Sequence, residues 1–436
     1  MSNEQKIHAM IEELKPAMIA WRRDFHKYPE SGWTEFRTTS IIAKHLMGLG
    51  WKITMGKNAI SGPDRMGVPS EAALDAHLER AISQGADKSL VEEMRGGYTG
   101  LWADMVCGAG TGPTVAIRFD IDANDCSECM DAGHFPADNG FASVNPVVMH
   151  SCGHDGHASM GLAVAEIVAK YKDGINGTVR LMFQPAEEGV RGAYPMVKAG
   201  VVKGVDVVLG MHIGVGADSL GTFVCGCDGF LATTKMDVEI TGLSAHAGAA
   251  PEKGKNALLA ACAAASNLHA ISRHSGGPTR ITVGKLNAGQ GRNVIPPNAT
   301  LVMETRGETT ELNEYMEAEA GRIIKAAAEM WGCTHAVKKM GGAASGASDA
   351  EIATVLQGVA GEMGVYDKII FNDISGGSDD FTYMLDAVQK AGGKGSYCLV
   401  GSPLKASHHN DKFDYDEETL FRGAEIAARA IWKILG

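Results

Sequence analysis

Between residues 228 and 343 the pattern of this chain changes, and beyond residue 343 it changes back. On the near side, apolar runs at residues 51–55, 99–106, 114–119, 178–183 and 205–209 read as strands, and helical spacing covers 4–28, 35–47 and 158–171. Strands that alternate with helices are joined by crossovers, which leaves them mostly parallel in an α/β sheet. The middle block runs strand 233–241, helix 255–274, strands 280–286 and 300–306, helix 312–331 and strand 335–340. That β-α-β-β-α-β order is the split pattern of ferredoxin-like domains. It closes on Gly341-Gly342-Ala343-Ala344-Ser345-Gly346, a composition suited to a hinge. Helices at 349–363, 379–390 and 416–434 then alternate again with strands at 368–371 and 396–400. The expected fold is a mostly parallel α/β domain, built from residues 1–227 and 344–436, with a ferredoxin-like α+β domain, residues 228–343, inserted into it. Residues 61–98 are charged and Ala-rich, with a two-helix pattern, and read as an insertion on the rim of the first domain.

Composition removes several functional classes. The 40 basic and 52 acidic residues give a net charge of -12, the wrong balance for a nucleic-acid groove. No run approaches the roughly 18 apolar residues of a membrane span. The first sixteen residues are charged and lack the apolar core of a signal peptide, so a cytoplasmic location is expected. Nine cysteines over 436 residues do not make a disulfide framework. Cys126-x-x-Cys129 and Cys225-x-Cys227 lack a second pair at the spacing of a structural zinc clip.

The chemistry gathers at strand ends. Met149-His150-Ser151-Cys152-Gly153-His154-Asp155-Gly156-His157 holds three imidazoles, a thiol and a carboxylate in nine positions. Read as an extended segment, it would point Cys152 and His154 the same way. Thiolate and imidazole suit a zinc-like divalent ion. Asp120-Ile121-Asp122 ends one strand, Gln184-Pro185-Ala186-Glu187-Glu188-Gly189 the next, and Gly210-Met211-His212 a third. Ligands of α/β sheets bind at such ends. Adjacent glutamates are expected to diverge, one holding metal while the other acts as general base. With Ser407-His408-His409-Asn410 the candidate ligands become Cys152, His154, Glu188, His212 and either His408 or His409. Asp122 would orient an imidazole from behind. Such a set predicts two ions about 3.5–4 Å apart.

These motifs resemble the dinuclear-metal amidohydrolases and carboxypeptidases of the aminoacylase type. The similarity is greatest to the branch that holds plant auxin-conjugate hydrolases and aminobenzoyl-glutamate hydrolases. It rests on Arg22-Arg23-Asp24-Phe25-His26 through Gly32, Arg118 to Asp122, the 149–157 cluster, Gln184 to Gly189, Gly242 to His246, Asn293-Val294-Ile295-Pro296 and Gly377-Ser378-Asp379-Asp380-Phe381. The 61–98 insertion, Gly291-Arg292-Asn293 and the stretch from His408 to Phe413 are similar to the A-type subunits of the aminobenzoyl-glutamate group. The resemblance implies Cys152, His154, Glu188, His212 and His409 as ligands of two divalent ions, manganese or zinc, and Glu187 as base. It implies that Asn293 and Arg306 hold a substrate carboxylate. It also implies that His246, on an inserted lid or dimerisation domain, steadies an oxyanion in a neighbouring subunit's site. The expected reaction is hydrolysis of a small acyl-amino acid, p-aminobenzoyl-glutamate first among them. The expected assembly is a homodimer or a heterodimer with a related B subunit, with no nucleic acid and no membrane. The alternatives are general N-acyl-amino-acid hydrolysis and a non-catalytic, metal-binding partner subunit. The chain departs from the family at Ala123-Asn124-Asp125-Cys126, where the family continues Asp-Ala-Leu-Pro, and His150 and His157 receive no ligand role and read as packing or as supports behind the ligands.

Overall fold

The computed structural model describes residues 2–436. Ser2 opens helix α1 (Asn3–Lys27) with a capping box to Gln5. Its apolar stripe of Ile7, Met10, Ile11 and Met18 is buried. α2 (Phe36–Gly48) and β1 (Lys52–Met55) follow, then α3 (Glu71–Ser83) and α4 (Lys88–Glu93), started by the side chains of Ser70 and Asp87. Leu78, Ala81, Leu90, Val91 and Met94 from this stretch belong to the main hydrophobic core. The 61–98 segment is therefore built into the domain rather than attached to its rim. Its Leu74, Leu78 and Ala81 recur at helical spacing and give it an apolar face to bury.

The chain continues through β2 (Leu101–Cys107), β3 (Thr114–Asp120), the short α5 (Phe135–Asp138), α6 (His154–Tyr171), β4 (Gly177–Gln184), α7 (Ala193–Ala199), β5 (Val207–Ile213), β6 (Thr222–Val224) and β7 (Cys227–Asp228). After the inserted block come α10 (Ala350–Met363), β12 (Lys368–Ile370), β13 (Asp373–Ile374), α11 (Phe381–Lys390), β14 (Lys394–Val400) and α12 (Glu418–Leu435). Eight of these strands form one sheet in the order β1-β2-β4-β3-β5-β14-β6-β12. Four of its seven pairings are parallel: β3 with β4, β3 with β5, β14 with β5, and β12 with β6. The C-terminal ends of β3, β4 and β5 thus lie along one edge. β5 is buried along its whole length, as a central strand covered on both faces should be.

The intervening block is a unit of its own, Gly229–Gly346 with Gly376–Thr382. Its strands β8 (Ala232–Thr241), β9 (Thr279–Ala288), β10 (Asn298–Gly307) and β11 (Thr334–Ala343) pair antiparallel in the order β11-β8-β10-β9. Alternate residues of β8 and β10 are buried, Val238, Ile240, Leu301 and Met303 among them. They share a core with Ala260, Ala264 and Leu268 of α8 (Ala257–His269) and Met316, Ala320 and Ile324 of α9 (Thr310–Met330). This is the ferredoxin-like arrangement. Among the described residues no helix is long and apolar enough to cross a membrane, and all nine cysteines are free.

Candidate metal centre

α6 begins at His154, four residues earlier than the sequence pattern suggests, and its cap Gly153 lies in the left-handed region at φ 90. Cys152 and His154 are therefore brought together by a sharp turn into a helix, not by an extended strand. Glycine tolerates that backbone at little cost. A second turn follows β4, where Ala186 (φ 53) and Val190 (φ 52) bracket the two glutamates. The expectation that neighbouring glutamates diverge does not hold here. Carboxylate oxygens of Glu187 and Glu188 lie within 4.8 Å of one another and of a His154 ring nitrogen. His212 sits inside β5, and His409 (φ 64) hangs from a loop whose N–H donates to the Ser151 carbonyl at 2.8 Å.

The five candidate ligands converge. Cys152 Sγ is 3.5 Å from His212 Nε2, His154 Nε2 is 3.9 Å from Glu188 Oε1, and His409 Nε2 is 3.3 Å from Glu188 Oε2. Donors sharing one tetrahedral ion at ~2.0–2.3 Å stand about 3.3–3.8 Å apart, so these spacings suit a common cation. His154 Nε2 and Glu188 Oε1 are buried with no hydrogen-bond partner, which is costly unless a ligand takes them up. Of the two neighbouring histidines, His409 faces this cluster, whereas His408 Nε2 donates to the Ile213 carbonyl at 3.1 Å.

A surrounding layer fixes the rings. His154 Nδ1 donates to the Asp122 carbonyl at 2.9 Å, and Asp122 Oδ2 accepts from the Glu188 N–H at 3.0 Å. His212 Nδ1 donates to the Ile213 carbonyl at 2.8 Å. Both imidazoles so held turn Nε2 toward the cluster, the arrangement usual for ligating histidines. His157 accepts the Ile213 N–H on Nε2 at 3.0 Å and donates from Nδ1 to Asp120, which Arg118 holds at 2.6 Å.

The electrostatics ask for positive charge. Burial, with Glu188 and then Glu187 nearby, pushes the Cys152 thiol well above its ordinary range, so a thiolate here needs a cation beside it. Burial, with His157 next to it, pushes His212 well down and keeps it neutral. Burial opposes charge on His154 too, yet Asp120, Asp122 and Cys152 outweigh it and hold that ring well above its usual value. The donor set and the unpartnered atoms fit a divalent metal.

The remaining expected residues lie in the smaller unit. His246 Nδ1 accepts from the N–H groups of Gly248 and Ala249, both at 3.1 Å, which leaves the proton on Nε2. Its backbone bridges to Val294, and the Ala247 N–H donates to the Asn293 carbonyl at 3.0 Å, so His246 and Asn293 share one loop pair. Arg306 lies on β10 with its guanidinium forked onto Glu304, at 2.8 and 3.2 Å. Two groups of the larger unit, Asn124 and Glu35, escape a reading based on motifs. Asn124 bonds the Glu188 carboxylate and accepts from the Ser151 hydroxyl at 2.7 Å. Glu35 acts from behind the cluster, as does His157, whose supporting rather than ligating place was expected. Position 124 carried one signal, its departure from the family pattern.

Residues 116–433 match the family described as Peptidase family M20/M25/M40. The chain is 45% identical over 423 residues to the indole-3-acetyl-aspartic acid hydrolase of Enterobacter agglomerans, covering 97% of each. It is 44% identical over 426 residues to the A-type subunit of the p-aminobenzoyl-glutamate hydrolase of Escherichia coli (strain K12), covering 98% of this chain and 97% of that one. The crystal structure of an aminobenzoyl-glutamate utilization protein from Klebsiella pneumoniae superposes with a TM-score of 0.83 at 38% identity, covering 97% of this chain and 96% of that one. A cluster of metal-ligating side chains on an α/β sheet and matches along nearly the whole length lead to one conclusion: the chain belongs to Peptidase family M20/M25/M40 and is a metal-dependent enzyme of the amidohydrolase and peptidase type.

Proposed function

We propose that this enzyme hydrolyses the amide between an aromatic acyl group and an acidic amino acid, with p-aminobenzoyl-glutamate as substrate. The observation that carries the reading is the convergence of Cys152, His154, Glu188, His212 and His409 beside a second carboxylate, Glu187. Two relatives at 44–45% identity support the substrate class, since their names pair an aromatic acyl group with aspartate or glutamate. The five side chains would hold two divalent ions, manganese or zinc. When bound, such ions acidify water toward a pKa of about 7 and polarise an amide carbonyl. Glu187 takes the proton of the attacking water and returns it to the leaving amine. Asp122 keeps His154 in its ligating orientation through the bond to Nδ1. His246, with its proton on Nε2, donates to the developing oxyanion in a neighbouring subunit's site, a contribution worth about 3 kcal/mol in comparable sites. Asn293 and Arg306 grip the amino-acid carboxylates, and Arg306 exchanges Glu304 for the substrate. The smaller unit, expected at residues 228–343, serves as lid and dimerisation element, in a cytoplasmic dimer with a second copy or with a related B subunit.

The test is Glu187→Ala, which should abolish turnover while two metal equivalents remain. Loss of metal instead would show that the two glutamates divide their work differently. A second reading, a general N-acyl-amino-acid hydrolase acting as a homodimer, draws on the 45% match to the indole-3-acetyl-aspartic acid hydrolase. Comparing kcat/KM for p-aminobenzoyl-glutamate, indoleacetyl-aspartate and acetyl-amino acids separates the two. Assay of the chain alone and with a B-type subunit tests the reading as a non-catalytic partner.

A further inference from the structure

We infer that Glu35 is a positioning residue for the turn that presents Glu187 and Glu188, gripping that turn from behind through the Ala186 peptide. The inference rests on the proposed role of Glu187. Glu35 is fully buried at the start of α2. Its Oε1 accepts the Ala186 N–H at 2.8 Å and its Oε2 accepts the Thr99 hydroxyl at 2.6 Å, so both oxygens are committed. Ala186 is one of two non-glycine residues held in the left-handed region on either side of the glutamates. A backbone in that region persists only where its surroundings impose it. The surroundings here are specific. A Cβ on Gly32 would lie 3.0 Å from both Cα and Cβ of Ala186, so the chain before α2 presses directly on the turn. On its far side, Arg191 donates to the Gly67 carbonyl at 3.0 Å, which ties the turn to the 61–98 segment. Glu35 supplies a side-chain bond to the turn's own peptide at Ala186.

A carboxyl is a costly choice for such a bond when buried. Burial, and then the charge of Asp122, raise Glu35 well above the ordinary carboxylate range, toward the neutral acid. In that state it is isosteric and nearly isofunctional with a carboxamide. In the neutral acid Oε1 still accepts from Ala186, while the protonated Oε2 donates to the Thr99 hydroxyl oxygen, as a carboxamide NH2 would, and the hydroxyl proton turns away. This predicts which replacements succeed: glutamine preserves the grip and alanine removes it.

The experiment uses the full-length chain as Glu35→Gln and Glu35→Ala, with two readouts. The first is hydrogen–deuterium exchange of the peptide spanning residues 184–192 in metal-free protein. The second is steady-state kinetics of the metal-loaded enzyme on p-aminobenzoyl-glutamate. Glu35→Ala should speed exchange in that peptide and lower kcat roughly 10- to 100-fold with KM within about threefold, as a misplacement of catalytic groups by up to ~1 Å would do. Glu35→Gln should leave exchange unchanged and kcat within about threefold of the native value. The inference is overturned if both variants lose kcat equally, if KM moves in place of kcat, or if exchange at 184–192 is untouched by alanine. Should Glu35→Ala not fold, Thr99→Val loosens the same carboxyl and must shift both readouts in the same direction. An unchanged Thr99→Val then refutes the idea. If the native enzyme cleaves none of the acyl-amino acids, the functional reading has failed, and the exchange data alone decide the role of Glu35.

Discussion

His26 makes the stability of the larger unit depend on alkaline pH, and the size of the effect follows from its surroundings. The ring is buried on α1, with Nδ1 2.8 Å from Asp155 in the first turn of α6 and Nε2 2.9 Å from Glu128 in the loop that follows β3. Burial alone would discharge it, but the bonds to Asp155 and Glu128 outweigh burial and raise it to about 9 from an ordinary 6.5. A group raised in the folded state stabilises fully below its unfolded pKa and loses that stabilisation as pH rises through the folded one. The linkage relation gives about 3 kcal/mol at pH 6, about 2 kcal/mol at pH 7.5 and almost nothing by pH 9.5. The assay is urea unfolding of the native chain and of His26→Gln at those three pH values. The difference between the two should shrink by about 3 kcal/mol from pH 6 to pH 9.5. A difference that stays constant across the range would mean that His26 is neutral in the fold, and the reasoning would fail.

Two other perturbations test the same framework. Cys152→Ser should weaken metal binding, measured by competition with a chelator, and flatten its pH dependence. In the native chain, affinity should fall with falling pH because the buried thiol must release its proton to ligate. Arg22→Ala removes the buried guanidinium that pairs with Asp155 at 3.0 Å, with Glu417 at 3.2 Å and with Asp414. Stranding two buried carboxylates should cost about 3–5 kcal/mol in denaturant unfolding, whereas loss of an exposed arginine such as Arg322 should leave the transition nearly unmoved.

The alternation of strands and helices carried the fold class, because each buried strand announces itself as an apolar run whatever its neighbours. The strand-end rule also pointed to Asp120–Asp122, Glu187–Glu188 and His212, since a parallel sheet puts those ends on one edge. What the pattern missed was set by backbone geometry or by distant partners. α6 starts at His154 because Gly153 turns left-handed, and no periodicity encodes a single φ angle. The 61–98 segment looked peripheral because it is charged and Ala-rich with few β-branched residues, yet Leu78, Val91 and Met94 reach the core. Glu35 was silent because its partner, Ala186, lies 151 positions away. A polar residue bonded to a backbone that far off leaves no local trace.

The position of β14 in the sheet governs the order in which the molecule can be finished. This strand is made late, yet it lies in the interior, paired to β5 on one side and β6 on the other. On the ribosome, about 180 residues separate the end of β5 from its neighbour, which at 5–20 residues per second is roughly 10–40 s with an apolar edge uncovered. His409 emerges later still. The candidate ligand set is therefore complete only after the whole smaller unit has been made, and any truncation before residue 394 leaves the sheet open at its middle.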